Sequence, residues 1–599
     1  MRTQRCLWIA VGLVACLGGA PAAAGEIEPA FAMKLERSAA DQLHPAIVMM
    51  ADQVDLPSLD RRLARMGATR PFRHEVVVTR LREKARVTQA GVRALLEAHV
   101  HAGFARDVEP MWLVNAVLVK ATAASLVLVA QCDEVGIVYD GSWPIELIHP
   151  VDEGPSYAGL DATEPGIVDI RAPDLWSLGY EGQGVLVSNI DTGVYYDHES
   201  LKARWRGNDP GVTVAEAWHD PVTSHPLPRD LNGHGTHTMG TICGAGGIGV
   251  APQAKWIASA TIDRVSITRT VQDALLSLQW VADPDQDPKT VRDVPAVCSN
   301  SWGLSPLIST HGVAKCSPTF WSAIDNAEYA GVAVVFAAGN EGARGAESLR
   351  TPADRIASPV HVLAVGALST VTTAIASFSS RGPSGCDKVT VKPDVCARGQ
   401  SVRSASRSGT ASYTTKSGTS MACPHVAGVL ALLHQVWPDA TPTELKTALL
   451  ATCDDLGASG DDNVFGMGRI NCLSAYTELI RQRPDVSASV QGTVHQYREG
   501  QTFYGLVVLT SHLKAAETVQ VALQFYFRGQ PTSLLIVPPG NLRVAAGYSN
   551  AAFPILVALV IPTGLPAEVL EPGEWSLRAT IRKAGGGALI HMAEYPFVI

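Results

Sequence analysis

Three short polar segments, each in a glycine-rich stretch, constrain the fold of this chain more than any other feature. They are Asp191-Thr192-Gly193, Gly233-His234-Gly235-Thr236-His237 and Gly418-Thr419-Ser420-Met421-Ala422. A serine hydroxyl is a weak nucleophile at neutral pH and needs a neighbouring base, for which a neutral imidazole serves while a carboxylate holds its other nitrogen. Asp191, His234 and Ser420 can fill these roles only in a fold that brings together residues distant in sequence.

The flanks of the first two segments predict an α/β fold. Val185 to Ile190 is a short apolar run typical of a buried parallel strand, so Asp191 would stand at the carboxyl end of that strand. Sites in open α/β sheets form at this edge. Small residues follow His234, which favours a helix start packed tightly against a neighbouring element.

The third segment precedes an apolar helical stretch from Met421 to Trp437. Pro424 suits this helix if it lies in the first turn, where a backbone N–H has no partner to lose. The Ser420 hydroxyl would then lie at the positive end of a helix. The ordered set predicts Asp191 as the acid, His234 as the base and Ser420 as the nucleophile.

In this order the three segments resemble the subtilisin-like serine peptidase family. The resemblance runs from about Gly182 to about Ser474 and implies a three-layer α/β domain with a mostly parallel sheet. Residues 331–340 resemble the strand that ends in the family's oxyanion-hole asparagine, which implies that Asn340 is a catalytic donor. Asn-Ser-Trp-Gly at 300–303, Cys316 and the segment 378–384 are most similar to the bacillopeptidase F branch.

The resemblance also implies a substrate cleft. One segment of the family pairs its exposed backbone with the substrate as an added strand, a mode that tolerates many side chains. Glu341 at the rim would help to accept a basic substrate residue, but no particular cleavage preference follows. For Trp302, ordinary core packing is the alternative. The residues implied to bind substrate are Ser301, Trp302, Gly303, Ala338, Gly339 and Glu341.

No metal or cofactor is required by this chemistry. Many family members bind a structural calcium through an aspartate about nine residues after the acid, and this chain has Ser200 there. Calcium prefers six to eight oxygen ligands, and the sequence does not assemble such a set. Structural calcium therefore stays open without a predicted site, and no Cys/His spacing matches a zinc site.

The length of 599 residues predicts several units. Residues 1–24 fit a cleavable secretion signal, with Arg2 and Arg5 before an apolar run too short to span a bilayer. The alternative is lipid anchoring at the cell envelope through Cys16, which follows Leu-Val-Ala. Residues 151–480 would form the catalytic domain.

The other two units lie on either side of that domain. Residues 25–150 alternate strand-like and helix-like pieces, including 46–50, 76–78 and 113–119, which predicts a compact α+β unit. Its position implies an inhibitory propeptide removed between Trp143 and Pro173, with a permanent accessory domain as the alternative. Residues 481–599 carry short strands separated by turns, typical of a β-sandwich.

Cysteines and charge fit an exported enzyme. Eight of eleven cysteines lie in the catalytic region, where Cys386 with Cys396 and Cys453 with Cys472 are pairings suggested by proximity among 105 full pairings. A net charge of −9 gives no basic surface for nucleic acid.

The sequence thus predicts a secreted, monomeric, self-processed serine endopeptidase that acts on proteins or peptides through an acyl-enzyme on Ser420, with its own propeptide as inhibitor. Two alternatives stay open. One is a selective processing protease or a transpeptidase of the same fold, since acyl transfer to an amine uses the same groups. The other is a catalytically silent surface-binding protein.

Overall fold

The computed structural model describes residues 25–483 apart from 159–161, 222, 224, 263–269, 305–315, 317–319, 358–359 and 372, together with the backbone of seven strands between 486 and 597. The predicted signal 1–24, including Cys16, lies outside the described residues. No helix among the described residues is long and apolar enough to cross a membrane.

The first unit, residues 25–150, combines a five-stranded sheet with five helices, in the spatial order β1-β5-β2-β4-β3. The predicted strand 46–50 lies in β2, whereas residues 76–78 lie in a helix. The bounds are β1 Glu26–Ile27, α1 Pro29–Glu36, β2 Leu43–Met50, α2 Leu56–Arg65, α3 Arg70–Thr88, α4 Ala90–His101, β3 Ala105–Met111, β4 Ala116–Thr122, α5 Ala123–Ala130 and β5 Val135–Asp140.

Both faces of this sheet are buried, because alternate residues of each strand point to opposite sides. Val48 and Val117 join a core with α1, α4 and α5, which belong to the first unit itself. Ile47 and Leu118 instead pack in a core that includes Leu275 and other side chains of the next unit. The first unit is therefore docked on its neighbour through one face of its sheet.

Three short strands follow along the surface of the second unit, and two short helices come after them. The bounds are β6 Glu146–Leu147, β7 Asp152–Glu153, β8 Tyr157–Ala158, α6 Pro165–Asp169 and α7 Ala172–Ser177.

The second unit is a doubly wound α/β structure built on a parallel seven-stranded sheet of order β10-β11-β9-β12-β14-β15-β16. Its strands are almost completely buried because helices cover both faces. The bounds are β9 Leu186–Asp191, β10 Trp218–His219, α8 His234–Cys243, β11 Lys255–Ala260, α9 Val271–Ala282, β12 Val297–Asn300, β13 Trp302–Gly303, α10 Trp321–Tyr329, β14 Ala333–Ala337, β15 Leu363–Leu368 and β16 Val395–Arg398.

The second unit continues with a hairpin and three helices. Helix α11 is buried along almost its whole length and packs against α8. The bounds are β17 Val402–Ala405, β18 Ser412–Ser417, α11 Thr419–Val436, α12 Pro442–Leu450 and α13 Cys472–Gln482. The mostly parallel sheet between helices confirms the predicted α/β class.

The C-terminal segment forms two antiparallel sheets, β19-β20-β23 and β22-β21-β24-β25. Whether they face each other as a sandwich stays a prediction. The bounds are β19 Val486–Gly492, β20 Thr502–Ser511, β21 Glu517–Phe527, β22 Gln530–Val544, β23 Ile555–Val560, β24 Trp575–Lys583 and β25 Leu589–Phe597.

The suggested disulfide pairings are wrong. Cys386 is bonded to Cys316, whereas Cys396, Cys453 and Cys472 are free thiols. Proximity in sequence gave the wrong partner for Cys386, because Cys396 lies within strand β16 and its side chain is buried in the core.

Candidate active site

The carboxyl edge of the parallel sheet brings Asp191 and His234 into direct contact. Asp191 is the last residue of β9, and His234 is the first residue of α8. The His234 Nδ1 lies 2.8 Å from Asp191 Oδ1, and both side chains are buried. Because the carboxylate can only accept, Nδ1 carries the proton and Nε2 is left as the basic nitrogen.

Close backbone packing holds α8 against the turn after β9. A Cβ on Gly235 would lie 2.1 Å from the Gly193 carbonyl oxygen, so only glycine permits this approach. The approach places the first turn of α8 directly on the strand end that carries Asp191. The small residues after His234 thus have the packing role that the sequence predicts.

Asp230 is a positioning residue that motif reasoning missed. Its Oδ2 accepts hydrogen bonds from the Thr236 backbone N–H at 2.9 Å and from the Thr236 hydroxyl. Its Oδ1 accepts from the Thr192 hydroxyl at 2.9 Å, next to Asp191. One carboxylate therefore joins the start of α8 to the end of β9, and its charge suits a helix N-terminus. The only sequence signal was an aspartate four residues before His234.

Ser420 lies in the first turn of α11 and is fully buried. Pro424 falls inside this helix rather than in its first turn, because the helix begins at Thr419, earlier than predicted. A proline there cannot donate to the carbonyl four residues earlier, which belongs to Ser420. The Ser301 hydroxyl donates to that oxygen instead, at 3.3 Å. Ser301 thus supports the serine turn as well as lining the cleft.

Asn340 is oriented by its contact with Thr419. The Asn340 Oδ1 accepts from the Thr419 backbone N–H and from its hydroxyl, both at 2.9 Å. A backbone N–H can only donate, so this contact fixes which end of the amide is oxygen. The Nδ2 group consequently points to the cleft, where it donates to the His149 carbonyl at 2.8 Å.

The chain itself runs through this cleft. We call residues 145–158 the cleft segment. Its strand β6 pairs antiparallel with β13, with Leu147 opposite Trp302 and Glu146 opposite Gly303. Beyond the serine, β7 and β8 pair antiparallel with β18. The predicted linker is therefore held as an added strand on both sides of Ser420.

Two consecutive carbonyl groups of the cleft segment meet the two polar groups of the site. Ser420 Oγ donates to the Ile148 carbonyl oxygen at 2.8 Å, while Asn340 Nδ2 contacts the next carbonyl, of His149. The buried His234 Nε2 has no hydrogen-bond partner among the described residues. The serine proton is thus directed to the bound chain and not to the imidazole.

Glu341 does not stand free at the rim as the resemblance implied. It is buried, and its Oε1 accepts two hydrogen bonds from Arg350, at 3.0 and 2.7 Å. Arg350 also approaches the cleft segment, with Nη1 3.4 Å from the Leu147 carbonyl and 3.7 Å from the Glu146 carboxylate. The charge that faces the cleft segment is therefore that of Arg350, and the Glu341 carboxylate is already paired inside the protein.

The remaining predicted cleft residues contribute mainly backbone. Ser301 accepts the Ile148 N–H at its carbonyl, 3.0 Å away. The Trp302 backbone pairs with the cleft segment while its indole is buried between Phe320 and Phe336. Ala338 and Gly339 follow β14, and the Gly339 N–H donates to the Thr419 hydroxyl at 3.2 Å. Trp302 therefore lines the cleft with its backbone, while its side chain is part of the core.

Neighbouring titratable groups are poorly suited to replace the serine or the histidine. Burial raises the pKa of the Cys423 thiol to about 12, so it stays protonated at neutral pH. Burial lowers the pKa of His237 well below its usual value, and its Nε2 contacts the Val402 carbonyl at 3.0 Å. Neither group faces the cleft segment among the contacts described.

The parallel sheet with helices on both faces places a hydrogen-bonded Asp-His pair at its carboxyl edge and a buried serine at the start of a central helix, and it defines the chain as a doubly wound α/β protein. Residues 182–468 match the model of the subtilase family. Subtilisin DY from Bacillus licheniformis is 31% identical over 314 residues, which are 52% of this chain and 97% of that protein. The chain belongs to the subtilase family.

Two other relatives are longer than the matched region. Bacillopeptidase F from Bacillus subtilis (strain 168) is 30% identical over 438 residues, which are 68% of this chain and 29% of that protein. Serine protease AprX from the same organism is 34% identical over 319 residues, 48% of this chain and 65% of that protein. The chain therefore spans less than two thirds of either relative.

Proposed function

We propose that this protein is a serine endopeptidase that is made as a self-inhibited precursor and cuts itself free. The observation that carries the proposal is the cleft segment, whose backbone lies along the cleft as a substrate strand would, with the Ile148 carbonyl against Ser420. Membership of the subtilase family and the serine proteases among its relatives support the same reading.

The geometry supports acyl transfer in two steps. His234 Nε2 takes the Ser420 proton while Oγ bonds to a peptide carbonyl carbon, and Asn340 Nδ2 donates to the resulting oxyanion. The C–N bond then breaks, and the imidazolium returns its proton to the leaving amine. Water, deprotonated by the same imidazole, next releases the acyl group from Ser420. Asp191 holds the imidazole tautomer and stabilises its charged form throughout.

The precursor geometry supports inhibition, because the serine hydroxyl and the asparagine amide contact the carbonyl groups of two different residues and not of one scissile bond. Ser420 contacts the Ile148 carbonyl, but the amide that should meet its oxyanion contacts the His149 carbonyl. Cleavage requires the segment to shift so that both groups address one carbonyl. Strand pairing up to Ile148 and the ring nitrogen of Pro150 favour the Ile148–His149 bond, which lies in the predicted interval from Trp143 to Pro173.

The first unit then acts as an intramolecular inhibitor as well as a docked domain. Export is part of the proposal, and it is supported by the predicted signal at 1–24 and by the Cys316–Cys386 disulfide, a bond typical of oxidising compartments.

The test compares wild type with Ser420→Ala for intact mass and for cleavage of an unfolded protein. We expect wild type to yield a chain beginning at His149 and to degrade the substrate, while Ser420→Ala stays full length and inert. Thr419→Ser is the matched control, because it keeps the hydroxyl that contacts Asn340 and should process normally. Equal behaviour of wild type and Ser420→Ala would refute the proposal and favour a silent binding protein.

A further inference from the structure

A cluster of three carboxylates lies in the loop between α9 and β12, away from the cleft. We call residues 283–295 the acidic loop. Asp283, Asp285 and Asp293 each offer an oxygen, and these oxygens all lie within 4.8 Å of one another. Asp283 and Asp293 are almost completely buried. Like charges this close together repel strongly, and either a nearby cation or a proton on one carboxyl group relieves that repulsion.

Two oxygens of this cluster have no hydrogen-bond partner among the described residues. They are Oδ1 of Asp283 and Oδ1 of Asp293, both shielded from solvent. Two of the other oxygens accept backbone hydrogen bonds, Asp293 Oδ2 from the Asp285 N–H at 2.9 Å and Asp285 Oδ1 from the Asp287 N–H at 2.8 Å. A buried carboxylate oxygen without a donor costs free energy unless a cation meets it.

A cation from the first unit already lies at this loop. Arg82 of α3 donates to Asp283 Oδ2 at 2.6 Å and to the Gln286 carbonyl at 2.8 Å. Arg70, also of α3, donates to the Val294 carbonyl at 2.8 Å at the other end of the loop. The first unit thus neutralises and covers the acidic loop.

We propose that Asp283, Asp285 and Asp293 form a calcium site that Arg82 blocks in the precursor and that fills when the first unit leaves. The carboxylates and the Gln286 carbonyl supply hard oxygen ligands, the type that Ca²⁺ binds. Departure of α3 frees Asp283 Oδ2 and Gln286 O together, so two further ligands appear at the moment the positive charge is lost. The site lies in a loop of its own and is unrelated to the position of Ser200.

The first test needs no processing, so it is independent of the proposed peptidase activity. It uses the full chain with Ser420→Ala and titrates Ca²⁺ by calorimetry and Tb³⁺ by luminescence excited through tryptophan, since Trp280 closes the helix beside Asp283. The double variant that also carries Arg82→Gln should bind Ca²⁺ at least about tenfold more tightly than Ser420→Ala alone, because the substitution removes the competing positive charge. No gain in a chain shown by circular dichroism to be folded overturns the proposal.

The second test uses the processed enzyme, blocked on serine with a sulfonyl fluoride to prevent autolysis. Asp293→Asn should weaken Ca²⁺ binding at least about tenfold, because ligand charge sets the affinity of such sites. Asp287→Asn is the matched control, an exposed acid in the same loop outside the cluster, and should leave binding unchanged. Equal effects of the two substitutions, or none, would show that the cluster is not the site.

Discussion

Asn340 sets the clearest expectation for a single residue. Its amide is held by Thr419 and directed into the cleft, so Asn340→Ala removes a donor from the cleft together with the acceptor of the two Thr419 hydrogen bonds. Losing one such donor lowers turnover by about 100- to 1000-fold, a magnitude known from subtilisin itself. We expect kcat of the processed enzyme on a chromogenic peptide to fall by this factor with little change in KM. A KM increase at constant kcat would instead make Asn340 a ground-state contact.

Arg350 and Glu341 form a buried pair whose partners depend on each other. Arg350→Met leaves a buried carboxylate unpaired, which typically costs about 3–5 kcal/mol. We expect the free energy of unfolding of the Ser420→Ala chain in urea to fall by this amount, and the double variant with Glu341→Gln to recover most of it. If the double variant is no more stable than Arg350→Met, the pair is not coupled.

Arg350 also makes a prediction about substrates. The Glu146 carboxylate that it approaches is partly exposed, with 36% of its side chain accessible, and exposed pairs contribute at most about 1 kcal/mol. The test uses matched peptides that carry Glu or Gln at the position of Glu146, two residues before the residue whose carbonyl group is attacked. Their kcat/KM values should differ by a few-fold at most, in favour of Glu. The preference should vanish at high salt. A preference for Lys at this position would contradict the geometry.

The sequence anticipated the groups that local pattern determines and missed those that depend on distant contacts. The Asp191, His234 and Ser420 segments are recognisable from a few neighbouring residues each. The partner of Glu341 was not, because Arg350 reaches it across a turn and both are buried only in the folded chain. The loop aspartate Asp230 and the Cys316–Cys386 bond were missed for the same reason.

At the scale of elements, the contact between α8 and the turn after β9 leaves no room for a side chain at Gly235. Gly235→Ala places a methyl group 2.1 Å from the Gly193 carbonyl oxygen, which forces α8 away from Asp191. We expect activity to fall at least about 100-fold, since small misplacements of catalytic groups have effects of this size. The measurement is kcat/KM together with the thermal unfolding midpoint.

Gly91→Ala is the matched control for that substitution. Gly91 is likewise the second residue of a helix, α4, but the atom nearest to where its added methyl group would lie is the flexible end of Glu134, at 3.2 Å. Alanine is the better helix former there, so the thermal unfolding midpoint of the unprocessed Ser420→Ala chain, which still contains α4, should be unchanged or slightly raised. A similar fall of the midpoint in both variants would remove the special role of the α8 contact.

Secondary structure was predictable where the hydrophobic period was clear. The strand before Asp191 and the helix after Ser420 follow from apolar runs of suitable length. Residues 76–78 show the limit of this reasoning, since three consecutive valines resemble a strand but lie in α3. Their flanks are rich in arginine, glutamate and lysine, which favour a helix, and Val77 and Val78 pack in the core shared with the second unit.

At the scale of the whole molecule, docking of the first unit is sensitive to acid through His74. This buried side chain contacts the Ala330 carbonyl of the second unit through Nδ1, at 2.9 Å. Burial lowers the pKa of His74 to about 4. The positive charges of Arg70 and Arg82 lower this pKa further, whereas the hydrogen bond to Ala330 and the charge of Asp285 raise it. The folded chain therefore binds fewer protons than the unfolded chain between about pH 4 and the usual value of 6.5.

The contribution of neutral His74 to the free energy of unfolding should thus be fully present above pH 6.5 and be lost as the pH falls toward 4. At about 1.4 kcal/mol per pKa unit, the loss amounts to up to about 3 kcal/mol. The measurement is the free energy of unfolding of Ser420→Ala against pH. A His74→Gln variant should lack this part of the slope. An identical slope in both chains would assign the acid sensitivity to other groups.

The pairing of β7 with β18 has a consequence for the energetics of self-cleavage. In the self-cleavage proposed above, the new amine formed by cutting the bond after Ile148 would still be tethered beside the acyl group, because the Val151 N–H donates to the Ser417 carbonyl at 2.8 Å. Tethering gives that amine a high effective concentration, so resealing competes with attack by water. The cut becomes permanent only when one of the two strands peels away, which makes strand separation, rather than bond breaking, the committed event of maturation.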